Sequence, residues 1–108
     1  MQLSEYQKIS ESTAIYPQSV RLLYPTLGLA GEAGEIAEKV KKMLRDDGGE
    51  LSEERRDSLI LELGDVLWYL AAIARDLDID LNLIAMRNIQ KLERRQSQGK
   101  LTGDGDNR

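Results

Sequence analysis

The chain has 108 residues, enough for one domain; it carries a formal net charge of −4 and contains neither cysteine nor histidine. Those absences exclude a disulfide framework, a cysteine nucleophile, a serine–histidine pair and a Cys/His zinc site, and leave oxygen donors, hence Mg2+, Mn2+ or Ca2+, for any metal site. The negative balance argues against a whole-surface grip on a nucleic acid polymer. It is uneven, however: residues 81–108 carry +3, which leaves −7 for residues 1–80.

The start, "MQLSEYQKIS", lacks a basic-then-apolar signal pattern, and the longest apolar run, "VLWYLAAIA", is too short to span a bilayer, so a soluble cytoplasmic protein without membrane partners is expected. No segment alternates with period two. Apolar residues recur at helical spacing, and the expected fold is an all-α bundle of about four helices.

A first helix is predicted from about Ser4 to Tyr16, ended by Pro17. A second begins between Pro25 and Leu29, shows Leu29, Ala33, Ile36, Val40 and Met43 as its apolar stripe, and stops at "RDDGG", where Gly48 and Gly49 break it. Ser52 is placed to cap a third helix, with Glu53 and Glu54 in a first turn where acids suit the helix dipole; that helix runs to about Asp76. Asp80 is placed to cap a fourth, running to about Gln98 with Leu81, Ile84, Ile89 and Leu92 turned inward. Residues 1–98 form the helical domain, and the Gly/Asp-rich segment 99–108, "GKLTGDGDNR", is expected to be a mobile tail.

The second and third helices share a pattern. "EAGE" (residues 32–35) and "ELGD" (residues 62–65) both read Glu-x-Gly-acid. Acids three apart on a helix lie one turn apart on nearly the same face, so each helix presents a carboxylate pair. Gly34 and Gly64 fall roughly opposite those pairs and suggest close packing against another helix. Two readings fit the acids. They form solvated stripes, Glu32–Glu35–Lys39–Lys42 and Ser58–Glu62–Asp65–Asp76, or they line a cleft and hold a cation. The third helix favours the cleft, because Glu62 and Asp65 interrupt the apolar run Leu59–Ala74, and a helix apolar on nearly every side is normally buried. One short chain offers too few neighbours to cover such a helix, so a homodimer or homotetramer is expected.

"GLAGEAGEIAEKVKK" followed by "ELGDVLWYLAAIA" resembles the MazG-like nucleoside triphosphate pyrophosphohydrolases of the all-α NTP pyrophosphatase superfamily, whose signature is E-x-x-E, a spacer, then E-x-x-D. The likeness extends through "NIQKLERRQSQGKLTGDGDNR" and leaves only about the first twenty residues unmatched. It implies a nucleoside (or deoxynucleoside) triphosphate substrate, hydrolysed with Mg2+ (Mn2+ as the substitute) to the monophosphate and pyrophosphate. Glu32, Glu35, Glu62 and Asp65 map onto the metal ligands, with Glu35 the candidate general base. Asn88, Lys91 and Arg95 fall where relatives carry phosphate-contacting residues; the other reading of Lys91 and Arg95 is a solvated basic face at a helix C-terminus. Trp68, Tyr69 and Tyr24 either stack on a nucleobase or pack in the core. The related phosphoribosyl-ATP pyrophosphohydrolase activity and a non-catalytic helical interaction module are the alternatives. A di-iron carboxylate bundle is disfavoured, because its E-x-x-H halves need histidine.

Overall fold

A computed structural model describes residues 1–108 as four α-helices and two short 3₁₀ turns with no strand: α1 (Leu3–Ser10), α2 (Leu23–Asp46), α3 (Glu53–Asp76) and α4 (Leu81–Ser97), with 3₁₀ turns at Glu11–Thr13 and Gln18–Val20. The expected all-α architecture is present. No helix is long and apolar enough to cross a membrane.

The ends of the three later helices follow from local chemistry. Gly48 and Gly49 adopt left-handed φ values of 64° and 79° after α2, and the Gly49 N–H returns to the Met43 carbonyl at 3.1 Å. The Ser52 hydroxyl accepts the Arg55 N–H at 3.1 Å, and Asp80 accepts the Asn82 N–H at 2.8 Å. Arg55 then closes the α2–α3 turn onto Asp47 at 3.1 Å.

The first helix departs from the expectation. It stops at Ser10 rather than running to Tyr16. The hydroxyls of Ser10, Ser12 and Thr13 donate to the carbonyls three residues back, at 3.0, 3.2 and 2.7 Å. Such side chains compete with the helix for its own acceptors, and the chain tightens into a 3₁₀ turn. At its other boundary α2 starts at Leu23, before Pro25. That proline sits in the first turn, where its missing N–H has no intrahelical partner to lose, and it is buried. The entry is a strained γ-turn: Leu22 has φ 64° and ψ −50°, and the Leu23 N–H reaches the Arg21 carbonyl at 2.7 Å. Asp76, at the far end of α3, holds this turn by accepting the Leu22 N–H at 2.8 Å and the Tyr16 hydroxyl at 2.9 Å.

Burial, then the hydrogen bond to Asp76 and that carboxylate's charge, pushes the Tyr16 phenol from 10.0 up to about 12. A group whose folded pKa is raised contributes its stability in full below the unfolded value and loses it as pH climbs through the folded value. Tyr16 is therefore expected to ionise late, with stability falling between pH 10 and about 12; tyrosinate absorbance and denaturant melts across that range check this.

Helices α2 and α3 form an antiparallel hairpin. At Gly28 the Tyr69 ring leaves no room for a side chain, since a Cβ there would overlap it. Gly28→Ala is expected to cost about 1–3 kcal/mol through overpacking, more than the roughly 1 kcal/mol that alanine gains in helix propensity, and denaturant melts read the difference. Gly34 and Gly64 do not play this part: nothing lies within 4 Å of a Cβ on either, so the close packing expected behind the carboxylates is absent within the chain.

The core is small. Ala71, Ala74 and Leu81 are buried where α3 meets α4, with Leu3, Tyr6, Leu67 and Ile79 packed around them. Gln7 joins α1 to that corner, donating to the Ile79 carbonyl at 3.0 Å and accepting the Leu81 N–H at 2.9 Å. The inward stripe expected on α4 is only partly realised. Leu81 is buried, whereas Ile84, Ile89 and Leu92 remain exposed, as do Ile60, Leu61, Leu63 and Leu70 on α3. The accessible surface is 7926 Å², where a compact monomer of 12.2 kDa exposes roughly 6,100 Å². The radius of gyration is 16.8 Å, against roughly 13 Å for a compact chain of this length.

Candidate active site

The hairpin sets the α2 carboxylates across from those of α3. Glu32, Glu62 and Asp65 each offer an oxygen within 4.8 Å of the others. Glu32 and Glu62 are half-buried and Asp65 is exposed. Glu35 is not among them. It lies on α2 one turn along from Glu32, exposed, and close enough for its charge to act on Glu32. Three of the four expected ligands thus converge.

The cluster is electrostatically uneven. Glu32 is pushed above the usual carboxylate range, first by sharing a hydrogen bond with Glu62, then by burial and by the charges of Asp65, Glu62 and Glu35. Glu62 is held below that range, chiefly by Lys39, whose Nζ sits 2.6 Å from its Oε1, and secondarily by Glu32. Of the two, Glu32 therefore takes up a proton more readily than Glu62. Lys39 was legible as a neighbour of this face, since it follows Glu35 by four residues, but its place in the sequence pattern fits a solvated stripe equally well.

Beside the cluster is a cavity of about 320 Å³ lined by Thr13, Glu32, Asp65, Trp68 and Tyr69. The Trp68 Nε1–H donates to the Thr13 hydroxyl at 2.8 Å, and that hydroxyl donates to the Ser10 carbonyl at 2.7 Å. The indole also meets the Tyr69 ring edge-on, with centroids 5.1 Å apart at 87°. The ring is thus fixed before any ligand arrives. Tyr24, the third aromatic singled out in the sequence, is instead stacked on Tyr16 at 4.9 Å. Thr13 carries no local sequence signal. Its partner lies 55 residues away, and only the fold joins them.

Asn88, Lys91 and Arg95 lie on α4 and do not line this cavity. Lys91 pairs with Asp106 of the C-terminal segment at 3.2 Å. Arg95 is 6% exposed, and its Nη2 reaches the Asp106 carboxylate at 3.4 Å and the carbonyls of Gly105 and Asp106 at 3.4 and 3.0 Å. The segment after α4 is therefore folded back on that helix through its own acceptors.

Three carboxylates and no nitrogen or sulfur donor form a hard-cation set, and the crowding that holds Glu32 above the usual carboxylate range is what a divalent ion would relieve. The family model of the MazG nucleotide pyrophosphohydrolase domain matches residues 22–99, which hold both acidic pairs and Trp68. The chain belongs to the MazG family. A relative, the Gene 37 protein of Mycobacterium phage L5, is 49% identical over 114 aligned residues, with both chains covered in full. No solved structure matches the chain. The MazG domain match makes this a member of a nucleotide pyrophosphohydrolase family and leaves Thr13, which walls the cavity, outside the matched span.

Proposed function

We propose that the protein hydrolyses nucleoside or deoxynucleoside triphosphates to the monophosphate and pyrophosphate, with Mg2+ as cofactor and Mn2+ able to replace it. The observation that carries this reading is the adjacency, in one cavity, of the carboxylates Glu32 and Asp65 and a fixed indole. A triphosphate has both an anionic chain and an aromatic base, and the cavity offers a place for each. Glu32, Glu62 and Asp65 would hold the cation, which supplies charge neutralisation and acidifies a bound water. Phosphoryl transfer asks mainly for such positioning and neutralisation, so the absence of histidine is no obstacle.

Glu35, near the cluster but outside it, would accept the proton of the attacking water. Trp68 presents the face on which a base stacks, with Thr13 holding the ring. The water's oxygen adds to phosphorus, the anhydride bond breaks, and pyrophosphate leaves.

We infer further that the working form is a homodimer or homotetramer. Leu61 is 71% exposed and Leu63 55% exposed on α3, and the chain's surface exceeds that of a compact monomer by roughly 1,800 Å². A standard interface removes only about 800 Å² per partner, so the excess is ample. By the family resemblance Asn88, Lys91 and Arg95 would contact the phosphates, which requires Lys91 and Arg95 to leave Asp106. A panel of ribo- and deoxyribonucleoside triphosphates with Mg2+, read by pyrophosphate release, tests the activity. Release from none of them would overturn it.

A further inference from the structure

Lys39 touches the carboxylate cluster, and no other Lys or Arg forms an ion pair with Glu32, Glu62 or Asp65. We propose that Lys39 is an internal counter-ion which a divalent cation displaces from Glu62, and that its freed ammonium then binds the phosphate chain of the nucleotide. This rests on the reading that the cluster holds a divalent cation.

The placement begins in the sequence. Lys39 follows Glu35 by four residues and Glu32 by seven, so all three occupy one face of α2. The hairpin turns that face toward Glu62, and the ammonium closes on its Oε1 at 2.6 Å. Three carboxylates within 4.8 Å repel one another, and a positive charge against one of them lowers the cost of holding them together. The pair is sheltered, with Lys39 23% and Glu62 15% exposed, so water and salt screen it less than a surface pair.

Two further facts separate this role from that of a plain helix–helix bridge. Glu62 is shared: the carboxylate that Lys39 neutralises belongs to the set offered to a cation, so the two positive charges compete for it. A lysine ammonium on a four-carbon stem can withdraw by a few ångströms without moving its helix. The second fact is the disposition of the other cations. Lys91 and Arg95 are engaged by Asp106, whereas Lys39 is already at the carboxylates where the triphosphate would sit. A displaced Lys39 therefore stays beside the carboxylates, in reach of an incoming anionic chain.

The test compares wild type with Lys39→Met and Lys39→Arg. It uses Mg2+ titration by calorimetry, thermal melts with and without Mg2+, and steady-state pyrophosphate release. Lys39→Met should melt lower than wild type without Mg2+, gain more from Mg2+ than wild type does, and bind Mg2+ several-fold more tightly. Its KM for nucleotide should rise by about tenfold or more, the scale of one charge-assisted hydrogen bond. Lys39→Arg should recover most of that KM. A bridge without the second role lowers the melting temperature equally with and without Mg2+. That result, weaker Mg2+ binding, or an unchanged KM in Lys39→Met would each overturn the proposal. Wild-type protein that binds no Mg2+ would remove the metal site itself, and Lys39's role with it, a failure visible before any Lys39 variant is made.

Discussion

Replacing Glu32 with glutamine is expected to cut pyrophosphate release by about 10²–10³-fold or more, the scale seen when one preorganised charge-stabilising group is lost. The same change should leave the metal-free protein as stable as wild type or more so. Glu32 is the carboxylate that crowding already pushes toward its protonated form, through the hydrogen bond it shares with Glu62 and the charges of Asp65 and Glu35. A glutamine amide is nearly isosteric and can donate to Glu62, with no charge to repel its neighbours. Stabilisation by Mg2+, which arises from binding to the native state alone, should shrink sharply. Glu62→Gln separates the two effects. It also removes a ligand, but it strands Lys39 without its partner, so its metal-free form should melt lower. Thermal melts with and without Mg2+, beside a pyrophosphate assay, read all of this. Equal Mg2+ stabilisation of wild type and Glu32→Gln would show that the cluster is a solvated stripe.

A charge on the outer face of α3 should be nearly as damaging. In an isolated chain Leu61 is an exposed residue, and Leu61→Glu would shift stability by no more than about 0.5 kcal/mol. If a second copy covers α3, the same glutamate is buried unpaired, and the assembly should dissociate with a loss of several kcal/mol of apparent stability. The exposed apolar positions Ile60, Leu63 and Leu70 on the same helix, and Ile84, Ile89 and Leu92 on α4, give a partner a large surface to cover. Light scattering of wild type at micromolar concentration should give a dimer or tetramer, and Leu61→Glu should give a smaller, less stable species. A monomeric wild type would end this reading.

The sequence was informative where the determinant was local. Ser52 and Asp80 cap the helices they were expected to cap, and Gly48 and Gly49 end α2, because a hydroxyl, a carboxylate or a left-handed glycine acts within a few residues of itself. The end of α1 was misplaced because three hydroxyls in "SEST" outcompete the helix together, which apolar periodicity does not register. The carboxylates were legible for a related reason: spacing fixes which face each pair occupies, and a short turn makes the two faces antiparallel. Spacing does not tell that Glu35 stands aside, since the same three-residue step joins Glu62 to Asp65 and both of those converge. What periodicity could not say was who covers an apolar face. Ile84, Ile89 and Leu92 are correctly on one stripe of α4, yet their own chain leaves them in water. Thr13 was invisible because its role is created only when α1 docks and carries the 3₁₀ turn that follows it beside Trp68.

That docking has a kinetic consequence. The hairpin contacts close in sequence from the turn outward, from Asp47–Arg55 at a separation of 8 residues to Lys39–Glu62 at 23. The bonds of Gln7 to Ala71 and Ile79 and to Leu81 span 64, 72 and 74 residues. Short loops close at lower entropic cost, so the hairpin should form early and α1 should dock late. Gln7→Ala leaves the Leu81 N–H and the Ile79 carbonyl without this partner, a loss of about 1–3 kcal/mol. Stopped-flow chevrons should show that loss almost wholly as faster unfolding, with the refolding limb unmoved; a slowed refolding limb would place α1 in the nucleus instead. The chain would thus assemble its acidic residues on the first-formed unit and close the aromatic wall over them last.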